Sequence, residues 1–88
     1  MEIVDKSIQD IKPYPANAKL HKDRQIKKIA ASIGEFGFNQ PVVVDKKGVI
    51  IVGHGRYLAA QLLGIEKLPT LELDVDEEKA KAYRLADN

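Results

Sequence analysis

Two glycines and an arginine at the start of a helical segment are the residues best placed to do chemistry. Residues 49–63 read VIIVGHGRYLAAQLL, an apolar run followed by a turn and an Ala/Leu-rich helix. The first turn of a helix presents unpaired N–H groups and the positive end of the helix dipole, which attract an anion. Gly53 and Gly55 can adopt positive φ and let a ligand approach the backbone. The pattern predicts a phosphate-binding turn.

Arg56 adds to this prediction. A cation in the first helical turn opposes the dipole by about 0.3–1 kcal/mol unless an anion lies between them. The competing interpretation is that Gly53 only shapes a tight turn and that Arg56 points into solvent. The turn is not a Walker A loop, because Gly-Lys-Ser/Thr is absent, and Leu58 stands where a Gly-x-Gly-x-x-Gly fingerprint has its third glycine.

Two further side chains at this turn have more than one interpretation, and the second histidine has only one. His54 can act as a general base or contact a phosphate when protonated, since the usual imidazole pKa is about 6.5; helix capping or packing is its alternative role. Tyr57 can stack on a base or sugar, although a place in the core is favoured. His21 follows a proline-rich segment in a polar loop and is predicted to lie on the surface.

The acidic residues do not indicate a metal site. Four of them are clustered around the start of the last predicted helix, where capping and the helix dipole explain them: Asp74, Asp76, Glu77 and Glu78. We therefore predict no metal ligands. Asp87 and Asn88 are predicted to make a helix-end hydrogen bond, with a ligand contact as the alternative.

Apolar periodicity predicts an α+β fold with a small mixed β-sheet and about three helices. Pro13 and Pro15 favour an extended path, residues 16–21 a loop, and Pro69 an edge strand or strand start. The predicted elements, in chain order, are a strand within residues 3–8, a helix over 23–36, strands over 42–44 and 49–52 joined by a turn, a helix over 56–63, a strand over 68–75 and a helix from 76.

Composition indicates one small globular domain that is soluble and cytoplasmic. The 88 residues are 44% apolar and 31% charged, and there is no cysteine to form a disulfide or a thiolate metal site. The longest apolar run, Val49–Val52, is far too short for a membrane span, and the first ten residues lack the apolar core of a signal peptide. The last helix has no glycine stop, so we expect residues 1–88 to be the N-terminal part of a longer protein.

Charge is distributed unevenly although the net charge is only +1. Residues 1–28 hold seven Lys or Arg against four acids, and residues 59–88 hold four against seven. Five basic residues surround one predicted helix start: Lys19, Lys22, Arg24, Lys27 and Lys28. They either steer phosphate-bearing partners or form a solvated helix face.

Three segments together resemble the ParB/sulfiredoxin superfamily: FGFNQPVVV at 36–44, VIIVGHGRYLAA at 49–60 and AYRLADN at 82–88. The match is most similar to ParB-like domains at the N-termini of phage and bacterial DNA-modification methyltransferases. The resemblance implies that Gly53-His54-Gly55-Arg56 binds nucleotide phosphates and that Gln40-Pro41 lies beside the nucleotide. It also implies a nucleoside triphosphate ligand, with or without Mg²⁺.

The glycine motif departs from both branches of the superfamily. Gly53 and Arg56 match the Gly-Glu-Arg-Arg type of the ParB branch, whereas His54 and Gly55 replace its acidic residue and first arginine. Sulfiredoxins resemble Gly-Cys-His-Arg here, and the absence of cysteine excludes sulfinic-acid repair.

Three functions follow from these observations. We favour a nucleotide-binding module that regulates or targets a DNA methyltransferase in the same protein, with DNA contacted indirectly or by the rest of that protein. The second hypothesis is a metal-dependent DNA nuclease or nucleotide phosphohydrolase with His54 as base. The third is a protein-interaction domain in which the glycine turn is purely structural.

Overall fold

The computed structural model describes residues 2–87, so the prediction made for Asn88 lies outside the described residues. The α+β prediction is confirmed. The strands are β1 Ile3–Ser7, β2 Val42–Val44, β3 Ile50–Val52 and β4 Lys67–Glu72. The helices are α1 Pro15–Ala18, α2 Asp23–Phe36, α3 His54–Leu63 and α4 Glu77–Ala86, and a 3₁₀ turn at Ile8–Asp10 follows β1.

The four strands form one mixed sheet in the order β1-β4-β2-β3. β4 runs antiparallel to β1 and parallel to β2. β2 and β3, the two strands predicted to be joined by a turn, pair antiparallel, with a register shift between Val43 and Val44. The β3 edge is covered by a parallel bridge between Lys12 and Val49.

The position of β4 corrects the prediction made from Pro69. β4 lies inside the sheet rather than at its edge, and it ends at Glu72 instead of Val75. Pro69 pairs with Asp5 of β1, whereas the pairing with β2 begins only at Thr70. An interior strand therefore tolerates this proline because β2 does not extend alongside it.

Helix boundaries follow the local sequence signals closely. α2 has the predicted bounds and ends at Gly37, whose φ of 85° is left-handed. α3 begins two residues earlier than predicted and ends at Gly64 with φ 71°. Asp76 caps α4 by accepting a hydrogen bond of 2.8 Å from the Lys79 N–H, which confirms the capping interpretation of that acid.

The short helix α1 corrects the prediction of an extended segment and loop. Pro15 begins this single turn, which ends at Ala18. Proline is well suited to the first helical position because its φ is already helical and its missing N–H would have no partner there. The sequence prediction considered only the effect of proline on the residue before it, which favours an extended backbone.

The core lies between the sheet and α3. It contains Val42, Val44, Ile50 and Leu68 from the strands, and Tyr57 and Ala60 from the helix. Burying these side chains is the main favourable term for a domain of this size. None of the helices among residues 2–87 has the length and apolar content that crossing a membrane requires.

A buried arginine joins α4 to the turn between β2 and β3. The Arg84 Nη2 lies 2.9 Å from the Asp45 Oδ2, and its Nε donates to the Ile50 carbonyl at 2.8 Å. The guanidinium also lies 4.6 Å from the centre of the Tyr14 ring. The Arg84 carbonyl accepts a hydrogen bond of 3.2 Å from Asn17 Nδ2, so α1 is attached to the same helix.

Candidate functional site

The turn between β3 and α3 requires glycine at position 53. Gly53 has φ 103° and ψ 27°, a left-handed conformation that side chains other than glycine rarely adopt. A Cβ there would lie 2.9 Å from Arg56 Nη2 and 3.4 Å from the Val42 Cα. Gly53 has no side chain with which to cap α3, so among residues 2–87 the N–H groups of the first turn of this helix have no side-chain capping partner.

The Arg56 guanidinium folds back over this glycine instead of extending into solvent. Its Nη2 donates a 2.9 Å hydrogen bond to the Pro41 carbonyl, and its Nε is buried without a partner among the described residues. Burial lowers the Arg56 pKa, and the negative charge of Asp87 opposes that shift. Within residues 2–87 no carboxylate forms an ion pair with Arg56. The turn therefore holds a half-buried positive charge that is not neutralised.

His54 is buried, with only 2% of its surface exposed. Its Nε2 accepts a hydrogen bond of 3.1 Å from the Tyr14 N–H, which attaches the segment before α1 to α3. Burial lowers the His54 pKa to about 4, with smaller contributions from the charges of His21 and Arg84. A ring that is neutral at pH 7 does not suit the predicted contact of protonated His54 with phosphate. The predicted catalytic role stays a prediction.

Two residues of the predicted binding set have packing roles. Tyr57 is buried in the core, its hydroxyl accepts a 3.0 Å hydrogen bond from Gln61 Nε2, and it does not line the cavity described below. Gly55 does not have positive φ. A Cβ on Gly55 would lie 2.8 Å from Ile29 Cδ1 and 3.2 Å from His21 Cε1, so glycine there lets α3 approach α2 closely. Of the two glycines that can adopt positive φ, only Gly53 does so.

A cavity of about 610 Å³ opens at the start of α3, between this turn and α2. Gly53, His54, Gly55, Arg56 and Gln40 line it together, so the structure brings most of the predicted site residues into one place. Pro41 is not part of the lining, but its carbonyl orients Arg56.

Several lining residues were missed by the sequence analysis. Gln25, Ile29 and Ser32 of α2 lie on one helix face at spacings of four and three residues, and Asn39 adds a polar group to the wall. Asp87, for which a ligand contact was the alternative interpretation, also lines the cavity. His21 also lines the cavity and is half-buried, with its Nδ1 buried and unpartnered among the described residues, so its surface prediction is wrong.

The basic residues around α2 do not line the cavity. Lys19, Lys22, Arg24, Lys27 and Lys28 are all exposed. The uncharged face of α2 lines the cavity instead. Lys28 is nevertheless near the cavity, because it lies one helical turn from both Gln25 and Ser32.

Among residues 2–87, no three His, Asp or Glu side chains are grouped closely enough to hold a metal ion. Within the acidic cluster at the start of α4, Asp76 caps the helix, and Asp74 and Glu77 form surface ion pairs. Lys46 pairs with Asp74 at 2.7 Å, and Lys47 pairs with Glu77 at 2.7 Å.

Sequence comparison identifies the family. The ParB N-terminal domain model matches residues 1–88, and the chain belongs to this family. A ParB-like nuclease domain-containing protein of Escherichia coli K12, YnaK, is 39% identical over 83 residues, which are 92% of this chain and 95% of that protein. A probable chromosome-partitioning protein ParB of Campylobacter jejuni is 33% identical over 92% of this chain, which spans only 31% of that protein.

Solved structures confirm the fold. Sulfiredoxin from Arabidopsis thaliana superposes with a TM-score of 0.79 at 20% identity, covering 94% of this chain and 97% of that one. A truncated chromosome-partitioning protein ParB from Caulobacter crescentus superposes with a TM-score of 0.86 at 20% identity, covering all of this chain and 53% of that one. At these identities the likeness concerns the fold. The predicted membership of the ParB/sulfiredoxin superfamily is confirmed.

Proposed function

We propose that this domain binds a nucleotide through its phosphates at the Gly53 turn. The observation that carries the proposal is the Arg56 guanidinium, which is half-buried, free of any ion pair within residues 2–87 and positioned at the start of an uncapped helix. A buried cation without a counter-ion is unfavourable, and a phosphate would neutralise it. The first turn of α3 adds N–H donors and the positive end of its dipole.

Each part of the turn has its own role in this proposal. Gly53 removes the Cβ that would collide with Arg56, and the Pro41 carbonyl fixes one Nη so that the other can reach a phosphate oxygen. Gln40 extends the wall on the side proposed for the base. A Mg²⁺ ion in such a site would be held mainly by the phosphates and water, and Asp87 provides a carboxylate in the cavity wall.

The size and polarity of the cavity suit this ligand. Its volume of about 610 Å³ lies within the usual range for small-molecule sites. Its wall offers polar groups suited to a sugar and base, on Gln25, Ser32 and Asn39, beside the apolar Ile29.

Proteins with the same fold support the proposal. The Caulobacter crescentus ParB structure is a complex with CTP-γ-S. A free serine kinase in complex with AMP superposes with a TM-score of 0.71 over 89% of this chain at 20% identity. The base bound by the present domain is left open by these relatives, because His54 and Gly55 depart from the motif of the ParB branch.

We further propose that the domain acts in a DNA-associated protein, with DNA contacted indirectly. A C. crescentus ParB structure is complexed to the centromeric parS site, and the exposed lysines beside α2 suit a phosphate-bearing partner. Regulation of a methyltransferase in cis stays a prediction, as do the nuclease, phosphohydrolase and interaction-domain alternatives. No described contact favours one of these over nucleotide binding.

The test is titration calorimetry of the purified chain with nucleoside triphosphates and the matching nucleosides. We expect Arg56→Ala to weaken triphosphate binding about 10–100-fold, since charge-assisted hydrogen bonds contribute roughly 1.5–3 kcal/mol. Arg24→Ala is the matched control, because it removes an exposed arginine of α2 that does not line the cavity.

Nucleoside binding distinguishes phosphate recognition from damage to the fold. Arg56→Ala leaves the weaker nucleoside affinity nearly unchanged if the guanidinium acts on phosphate. Equal losses for nucleoside and triphosphate, or no binding of any triphosphate by the folded parent chain, would contradict the proposal.

A further inference from the structure

The two edges of the sheet differ in how their backbone groups are satisfied. At the β3 edge, the Lys12 N–H donates to the Gly48 carbonyl at 2.8 Å and the Ile50 N–H donates to the Lys12 carbonyl at 2.9 Å. β1 forms the other edge. Within residues 2–87, no backbone segment lies beyond β1 to pair with it.

The register of β1 shows which of its groups face outward. The Ile8 N–H donates to the Glu66 carbonyl at 2.9 Å, directly after the last β1–β4 pair. Hydrogen-bonded and non-bonded pairs alternate along an antiparallel ladder. Val4 and Lys6 therefore bond to β4, whereas the N–H and C=O groups of Ile3 and Asp5 point away from the sheet.

This edge also exposes apolar surface. Ile3 is 59% exposed and Val4 is 50% exposed, on opposite faces of the strand. Unpaired backbone groups beside exposed β-branched side chains form a template for another strand.

We propose that β1 pairs antiparallel with β1 of a second copy of this chain, with Val4 opposite Val4. Each Ile3 then lies opposite Asp5 of the other copy, and these are the residues whose backbone groups point outward. Each such pair exchanges two backbone hydrogen bonds. The two sheets become continuous across a two-fold axis, and the exposed valines are buried against each other.

The charges of the strand favour this register over the one centred on Asp5. With Val4 at the centre, Glu2 of each copy lies opposite Lys6 of the other, so the interface holds two pairs of opposite charge. Moving the centre by one residue to Asp5 keeps the same outward groups but places two aspartates opposite each other. Like charges in that position are destabilising.

The dimer is independent of the proposed nucleotide site. No residue of β1 lines the cavity at the Gly53 turn. If the domain does not bind nucleotide, the dimer can still form. If the dimer does not form, the domain can still bind nucleotide.

Sedimentation equilibrium of the chain over a wide concentration range tests the dimer. A single strand pair buries less than the roughly 1,200 Å² of a standard interface, so we expect weak association, measured best near about 1 mM protein. A parent chain that stays monomeric throughout this range overturns the proposal.

Charge exchange tests the register. Glu2→Lys and Lys6→Glu each place like charges opposite each other in the homodimer, and each is expected to weaken association about tenfold. An equimolar mixture of the two variants restores opposite charges and is expected to associate as well as the parent. Lys28→Glu on α2 is the control and leaves association unchanged. Association that is equal in all single variants contradicts the register.

Asp5→Pro tests the backbone contact separately. This substitution removes an outward N–H, while the neighbouring residues keep their hydrogen bonds to β4. We expect a folded monomer by circular dichroism and sedimentation. A folded variant that still dimerises like the parent contradicts pairing through this edge.

Discussion

Glycine at position 53 meets two requirements, one of backbone conformation and one of space. Its φ of 103° is unfavourable for any side chain, and the Arg56 guanidinium occupies the volume where a Cβ would lie. The first requirement follows from the strand–turn–helix pattern. The second could not be read from the sequence, because it depends on the guanidinium folding back toward the Pro41 carbonyl.

We predict that Gly53→Ala lowers the free energy of unfolding by about 1–3 kcal/mol through backbone strain. It should also weaken nucleotide binding, because the guanidinium must move away from Pro41. Urea denaturation and calorimetry measure the two effects. Gly34→Ala is the control: Gly34 lies inside α2, and a Cβ there would meet no atom of a neighbouring segment within 4 Å, so alanine should stabilise by about 0.5–1 kcal/mol. Equal stability of both variants would contradict the prediction.

Some binding-site residues carry no local sequence signal. Gln25 and Ser32 are ordinary polar residues of an amphipathic helix, and only the packing of α2 beside α3 brings them to the cavity.

The burial of Arg84 also had no local sequence signal, because a basic residue in the last turn of a helix is usually exposed. Here it is buried, since Asp45 and the Ile50 carbonyl of β3 lie within its reach.

At the level of elements, the Arg84–Asp45 pair determines where α4 lies. Asp45 belongs to the turn between β2 and β3, and its Oδ1 accepts hydrogen bonds from the Lys47 and Val49 N–H groups. Its Oδ2 is 2.9 Å from Arg84 Nη2. One carboxylate therefore shapes the turn and holds the helix.

We predict that Asp45→Asn destabilises the fold by about 1–3 kcal/mol, since it weakens charge-assisted hydrogen bonds in a buried place. Burial raises the Asp45 pKa, but the hydrogen bonds from Val49, Arg84 and Lys47 outweigh that effect and leave the pKa lowered. The contribution of the carboxylate is therefore complete above its unfolded pKa and is lost as the pH falls through the lower folded value.

Chemical denaturation of the parent and Asp45→Asn at neutral and acidic pH measures this effect. Asp74→Asn is the matched control, because its ion pair with Lys46 is exposed and contributes little. If both variants lose the same stability at neutral pH, the buried pair does not hold α4.

Elements whose sequence signals lie within one segment could be predicted, whereas features that depend on distant segments could not. α2 was predicted correctly because apolar periodicity and a stop glycine both lie within the segment. α1 was missed because Pro15 has opposite effects on the residue before it and on the helix after it. The place of β4 between β1 and β2 depends on pairing between distant segments, which periodicity does not report.

At the level of the whole molecule, we predict that the fold loses stability in acid because His54 is buried as a neutral ring. Burial lowers its pKa from 6.5 to about 4, so the unfolded chain binds a proton at a pH where the folded chain does not. The contribution of the neutral His54 ring to stability is complete above about pH 6.5 and is lost as the pH decreases toward 4. The expected loss is on the order of 3 kcal/mol.

Urea denaturation at roughly pH 7.5, 5.5 and 4.5 measures the free energy of unfolding at each pH. An NMR titration of the His54 ring measures its pKa. His54→Gln retains an acceptor for the Tyr14 N–H but has no proton to bind, so its stability should vary less over the same range. A parent chain as stable at pH 4.5 as at 7.5 would show that the ring is not held neutral.

The central place of β4 also has a consequence for synthesis of the chain. β1 leaves the ribosome early, yet its only partner strand within the described residues is Lys67–Glu72, more than half the chain away. β2 also completes its pairing with that segment. Closing such a long loop is entropically unfavourable until the partner is present. The nascent domain therefore holds an unfinished sheet for most of its translation, and the sheet closes only when β4 has emerged.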